Sequence, residues 1–63
     1  MTEPGGDEVY FEFTALGAVV KVAAIDAATG LEVAVMGPAS AGRVHLQNLA
    51  LQKLCARLAR KAE

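Results

Sequence analysis

Residue types that usually form active sites, or that cross-link a small domain through disulfides or metals, are scarce in this chain. It has one cysteine, one histidine and no tryptophan, and its aromatic residues are one tyrosine and two phenylalanines. A single cysteine excludes an internal disulfide, and with one histidine the familiar four-ligand zinc patterns cannot be built within one chain. We therefore expect no metal and no cofactor, and a core made of Val, Leu, Ile and Ala.

Long apolar runs are also missing. No stretch approaches the roughly 20 apolar residues that a membrane-spanning helix needs, and the N-terminus lacks the basic start and apolar run of a signal peptide. The lone Cys55 fits a reducing compartment. These features predict a cytoplasmic protein without a membrane partner.

The length sets the stability problem. A domain of about 60 residues buries only around 60% of its unfolded surface, so its core is marginal. Small domains are usually stabilised by disulfides, by a metal or by a partner chain. Because the first two are excluded here, self-association remains, and we expect a homodimer. A monomer is the alternative, and an unidentified protein partner is also possible.

The apolar residues change period once, from alternating to helical. Residues 9–36 contain three strand-like runs, and one helical run extends from about Ser40 to Lys61. The pattern predicts an α+β domain of order β-β-β-α over residues 8–63, with a disordered tail over residues 1–7. The sheet is expected to be a meander in order 1-2-3.

The three strands have matching apolar faces. The first alternates Val9, Phe11 and Phe13 with polar residues, and Gly17 permits a tight turn into the second strand, residues 18–25. A two-residue turn at 17–18 places Phe13 opposite Val22, which aligns the two faces. Residues 26–30 form a second hairpin loop, closed by the Asp26 carboxylate and Gly30, and residues 31–36 form the third strand.

The helix is expected to cover the Val/Phe face of the sheet. Ser40 is the predicted N-cap. At 100 degrees per residue, one apolar stripe contains Val44, Gln47, Ala50, Leu51, Leu54, Cys55 and Leu58. The predicted core therefore comprises Phe11, Phe13, Val22, Val33, Leu51, Leu54 and Leu58.

Apolar residues are left over on both elements, and they predict a self-association surface. Its members are Tyr10, Val19, Ile25, Ala34, Met36, Leu46 and Leu49. Charge supports pairing between copies, because residues 1–32 carry six acids and one lysine, whereas residues 33–63 carry five bases and one acid. Strand 1 or strand 3 pairing edge to edge is the competing geometry.

No catalytic group emerges from the sequence, and we expect no enzyme. His45 and Cys55 are ten residues apart, about 15 Å along a helix, too far for a Cys/His pair. Cys55 is expected to be a buried small hydrophobe and His45 a solvated side chain. Glu8 and Glu12 are roughly 13 Å apart along a strand, too far for acid/base work on one bond. The small-residue loop 37–42 lacks the lysine of a P-loop and is interpreted as a plain connection.

Nucleic-acid binding is the alternative function. Five bases lie along the helix, at Arg43, Lys53, Arg57, Arg60 and Lys61. A phosphate backbone requires such a cluster, but the last three also suit the helix C-terminus, and the acidic half of the chain repels a polyanion. Three strands followed by a helix, with the segment 49–54, resemble the latter part of a double-stranded RNA-binding domain. The preceding helix and the paired lysines of that family are missing here.

A second resemblance covers residues 8–58. Its motifs are Val9-Tyr10-Phe11-Glu12-Phe13, Gly17, Val20-Lys21-Val22, Ala24-Ile25-Asp26, Thr29-Gly30, Glu32-Val33, Gly37-Pro38 and Ala50-Leu51-Lys53-Leu54. The chain resembles a family of short uncharacterised bacterial proteins, common in alphaproteobacteria. The resemblance implies the same fold and no established activity. A self-associating interaction module without catalytic activity is the resulting functional hypothesis.

Overall fold

A computed structural model of the chain describes residues 8–62, with side chains through residue 60. The predicted tail, residues 1–7, lies outside the described residues. The elements are β1 (Val9–Leu16), β2 (Val19–Asp26), β3 (Glu32–Pro38), a short 3-10 turn (Ala39–Ala41) and α1 (Arg43–Ala62). The strands form one antiparallel sheet in order β1-β2-β3, and α1 packs on one face of it. The predicted β-β-β-α architecture is confirmed.

The first hairpin has the predicted register. Phe13 pairs with Val22 and Phe11 with Ala24, so the apolar faces of β1 and β2 coincide. Gly17 adopts φ of 64 degrees in the two-residue turn, a conformation that costs a side-chain-bearing residue more than glycine. The length of this turn fixes the register of the hairpin, and the register determines which face of β1 lies toward the core.

The second hairpin loop is closed by Asp26, as predicted. Its Oδ2 accepts hydrogen bonds from the Thr29 amide at 3.0 Å and from Thr29 Oγ1 at 2.7 Å. The Asp26 carbonyl accepts a bond from the Gly30 amide at 2.8 Å, and Gly30 has a positive φ of 78 degrees. Asp26 is buried, so these bonds satisfy a carboxylate that would otherwise be costly to desolvate.

The start of the helix differs from the prediction. Ser40 lies in the 3-10 turn, and the Leu46 amide donates the first helical bond to the carbonyl of Gly42. Gly42, with φ of 90 degrees, is therefore the residue that precedes the helix, and Ser40 is not its N-cap. The turn reverses the chain after β3, so that α1 runs antiparallel to that strand.

The face of the helix that enters the core is also shifted. Leu46, Ala50 and Leu54 are buried against Val22, Ala24 and Val33, with Leu58 partly buried beside them. The predicted core residue Leu51 is 37% exposed and Val44 is 72% exposed, and Cys55 is exposed as well. The predicted stripe is therefore wrong on one side, because its centre lies at Ala50 and not at Leu51.

Gly37 explains the shift. A Cβ on residue 37 would lie 2.5 Å from Leu46 Cδ2, so the leucine occupies the space that any other residue there would need. Gly37 pairs with Val20 inside the ladder and does not end the strand. Leu46, predicted to be surplus surface, is 3% exposed because it fills this gap over β3.

Candidate interaction surfaces

The sheet has two outer edges, and the register shows which backbone groups face them. In an antiparallel ladder, successive residues point their N–H and C=O groups alternately toward and away from the neighbouring strand. The Ala27 amide donates to the Glu8 carbonyl at 3.1 Å, and the Asp26 amide donates to Leu31 at 2.8 Å. It follows that the odd residues of β1 and the even residues of β3 point these groups outward.

The β3 edge is closed at its centre. Lys53 extends from α1 to this edge, where its Nζ donates a hydrogen bond of 2.9 Å to the carbonyl of Ala34. Pro38, the last residue of β3, has no N–H to offer. A lysine on an edge and a proline in it are two of the devices that prevent edge-to-edge pairing.

The β1 edge has neither device. It is eight residues long, contains no proline or lysine, and is straight enough to pair with β2 over its whole length. The backbone N–H and C=O groups of Val9, Phe11 and Phe13 point outward from the sheet edge. Their side chains lie on the face of the sheet that carries the helix. Because α1 packs over β2 and β3, those three side chains are only half-buried at the rim of the core.

The two flanks of α1 differ in charge. Lys53 marks the flank toward β3, and Leu49, Arg57 and Arg60 lie on that side at helical spacing. Beyond Arg43 at the helix start, which lies over Phe13, the opposite flank, toward β1, carries the exposed residues Val44, Asn48, Leu51 and Cys55 and no charged residue up to residue 60. We call this the uncharged flank. It continues the half-exposed apolar side of β1.

The predicted self-association surface lies mostly on the sheet face away from the helix. There Tyr10 and Met36 are exposed, at 53% and 61%, and Val19, Ile25 and Ala34 are half-buried. Leu49 is 40% exposed, on the helix. Leu46 does not belong to this surface, since it is in the core. Sequence reasoning missed the uncharged flank because it placed Val44, Leu51 and Cys55 in the core.

The basic residues considered for nucleic-acid binding are not gathered into one free patch. The Arg43 guanidinium stacks over the Phe13 ring at 4.7 Å, a cation–π contact, and Lys53 is held at the β3 edge. Arg57 and Arg60 are exposed. The side chain of Lys61 lies outside the described residues.

The remaining candidate groups are dispersed. His45 and Cys55 are both exposed, which confirms the first expectation and corrects the second. Across residues 8–62 no pocket is found, and no three His, Cys, Asp or Glu residues are close enough together to hold a metal ion. In the same part of the chain, no helix combines the length and apolar character needed to cross a bilayer.

Comparisons with known proteins identify a family for this chain. Neither the search of curated proteins nor the search of solved structures returns a match. A family model described as "Domain of unknown function (DUF6898)" matches residues 6–61, which include all three strands and nearly the whole helix. The chain belongs to this family of domains of unknown function.

Proposed function

We propose that the chain is an interaction module that binds a second copy of itself and has no catalytic activity. The observation that carries the proposal is the β1 side of the molecule. Within residues 8–60, an open strand edge, the half-buried side chains of Val9, Phe11 and Phe13, and the uncharged flank of α1 lie side by side.

The energetic argument concerns both backbone and side chains. Open N–H and C=O groups on a long edge are a template for another strand, and natural sheets protect such edges or pair them. Burial of half-exposed Phe11 and Phe13 adds roughly 25 cal/mol for each Å² of apolar surface removed from water. A core of six fully or nearly buried apolar side chains gains most from such an extension.

Light scattering over a dilution series tests the proposal. We expect a mass near twice the 6.5 kDa of one chain at micromolar concentration, decreasing on dilution. A mass of one chain at every concentration would refute self-association.

A matched pair of variants identifies the side that is used. Leu51 and Leu49 are exposed to nearly the same extent, 37% and 40%, on the uncharged and the charged flank of one helix. We expect Leu51→Glu to weaken association and Leu49→Glu to leave it unchanged. The reverse result would retain self-association and assign it to the surface predicted from the sequence.

We also propose a cytoplasmic location and an alphaproteobacterial source, on the sequence features and the resemblance given above. Fractionation of a native cell that places the protein in a membrane or outside the cytoplasm would overturn the first proposal.

A further inference from the structure

We infer that the partner is the β1 strand of a second copy, paired antiparallel about a two-fold axis at Phe11, so that two three-stranded sheets become one of six strands. This inference rests on the proposed function and adds its geometry. Two features of the described residues carry it: only one edge of the sheet is open, and the charges select one register.

The first step is the backbone. When two β1 strands pair antiparallel, the outward N–H and C=O groups of the odd residues in one chain bind those of the odd residues in the other. With the axis at Phe11, Val9 of each chain exchanges hydrogen bonds with Phe13 of the other, and Phe11 does so with its own copy. The β3 edge does not compete, because Lys53 occupies the Ala34 carbonyl. An assembly that uses only β1 stops at two chains.

The second step excludes the neighbouring registers. An axis at Glu12 places two carboxylates directly opposite each other, which is destabilising, and an axis at Tyr10 places Glu8 opposite Glu12 with the same effect. An axis at Phe13 brings together two Phe13 rings that each carry the Arg43 guanidinium at 4.7 Å, so the two cations meet above the axis.

The third step shows what the Phe11 register offers. On the face away from the helix, Tyr10 lies opposite Glu12 of the second copy, in a closely spaced pair where a phenol can donate to a carboxylate. Glu8 lies opposite Thr14 of the second copy. That Thr14 pairs with Lys21 in β2 of its own chain. Two strand spacings, about 10 Å, separate the backbones of Glu8 and Lys21, and only the small Thr14 lies between the two long side chains. Each contact occurs twice.

The fourth step concerns the helix side. A two-fold axis perpendicular to the sheet keeps both helices on the same face, with their uncharged flanks toward each other. Val9, Phe11 and Phe13 of both chains then lie between the flanks. The charged residue between the flanks is Arg43, which lies over Phe13 in each chain. In this register the two Phe13 residues are offset by four positions along the strands, roughly 13 Å, so the two guanidinium groups do not meet, and Lys53, Arg57 and Arg60 are on the far flanks.

A charge exchange at Tyr10 tests the inference. Tyr10 is exposed, so its replacement leaves the core of the monomer intact. Tyr10→Glu places two carboxylates opposite each other at two symmetric positions and should weaken dimerisation roughly tenfold. Tyr10→Lys should keep the dimer, and the double variant Y10E/E12K should restore it. Circular dichroism checks that each variant is folded.

Cysteine cross-linking provides an independent measurement of the register. In a Cys55→Ser background, Y10C/E12C places a cysteine pair across the axis at Phe11, E12C alone reports an axis at Glu12, and E12C/T14C reports an axis at Phe13. We expect a covalent dimer in a glutathione redox buffer from the first variant and far less from the other two.

The outcomes separate the two proposals. If the unaltered chain has the mass of a monomer, the proposed function fails, and the inference fails with it. If it is a dimer but Tyr10→Glu and Tyr10→Lys behave alike, or another cysteine variant cross-links best, the β1 register is overturned and self-association stands.

Discussion

Lys53 reaches from the helix to the outer edge of the sheet, where its ammonium group donates a 2.9 Å hydrogen bond to the carbonyl of Ala34. Ala34 is near the middle of β3, so the lysine interrupts the row of backbone groups that another strand would have to pair with. The bond is exposed and contributes little to the stability of the monomer. Its main consequence concerns assembly, because among the described residues it leaves β1 as the edge that is open.

Replacement of Lys53 should therefore change the size of the assembly more than the stability of the fold. We expect Lys53→Met to retain the dimer and to add larger species, since the part of the β3 edge before Pro38 is then also free to pair. Analytical ultracentrifugation measures this distribution. Arg60→Met removes the same charge from the same flank without uncovering Ala34, so it should remain a dimer. Equal behaviour of the two variants would show that net charge, and not the edge, controls assembly.

The different burial of two leucines on α1 gives the second prediction. Leu54 is fully buried and Leu51 is 37% exposed, although the sequence pattern places both in one stripe. Leu54→Ala should lower the free energy of unfolding by about 2 to 5 kcal/mol, which is a large share of the stability of so small a domain. Leu51→Ala should lower it by about 1 kcal/mol or less in the monomer. Urea unfolding at concentrations below the dimer range compares them, and similar losses would contradict the observed phase of the helix.

Alternation and turn residues were sufficient to predict the sheet. Phe11, Phe13 and Val22 each lie on the face that period-two patterning assigned them, because a one-residue slip would expose all of them together. Gly17 and Asp26 mark turns whose geometry depends on local backbone chemistry. Alternation and turn preferences depend on residues that are close together in the chain, so the sequence alone is enough to predict them.

The helix phase could not be predicted in the same way. Leu46, Ala50 and Leu54 form one stripe, and Val44, Leu51 and Cys55 form another about 120 degrees away. The apolar pattern of the sequence does not decide which of the two enters the core. The choice depends on Gly37, 9 residues before Leu46, which opens a space that only contact between β3 and α1 reveals. The candidate interface was missed for the same reason, since the residues of the uncharged flank were assigned to the core.

Gly37 thus provides a third prediction. The Cβ of Gly37→Ala would lie 2.5 Å from Leu46 Cδ2 in the buried core, so the leucine must move. We expect a loss of about 1 to 3 kcal/mol in the free energy of unfolding. In the double variant with Leu46→Val, the total loss of unfolding free energy should be smaller than the sum of the two single losses, because the smaller side chain makes room for the new Cβ. Full additivity, measured by denaturant unfolding, would mean that the two residues do not conflict.

The basic residues of the helix lead to a fourth prediction, which addresses nucleic-acid binding. Arg43 and Lys53 already have partners within the chain, and the other helix bases with described side chains are Arg57 and Arg60, both exposed. We expect no RNA or DNA retention in a gel shift at physiological salt. Retention that falls steeply with salt and is abolished by Arg57→Glu would instead support a nucleic-acid-binding function.

The Asp26 loop gives the last prediction. Its buried carboxylate accepts two hydrogen bonds from Thr29, one from the amide and one from the hydroxyl. Asp26→Ala removes the Oδ2 that accepts both bonds and should cost about 1 to 3 kcal/mol of unfolding free energy, because the Thr29 amide then loses its partner in the loop before β3. Thr29→Val removes the hydroxyl, which donates to Asp26 and accepts from the Leu31 amide at 3.1 Å, and keeps the bond from the Thr29 amide; it should cost about 1 kcal/mol.

A double variant completes the test of this loop. If Asp26 stabilises the fold through Thr29, adding Thr29→Val to Asp26→Ala should cost less than Thr29→Val alone, because only the bond from the Leu31 amide to the Thr29 hydroxyl then remains to be lost. Because Asp26 also ends β2 beside Val9, a loosened loop should speed hydrogen exchange first at the amides of Gly30 and Leu31 and leave Val22 and Ala24 protected. Uniform acceleration across the sheet would show that Asp26 supports the whole domain and not only the loop.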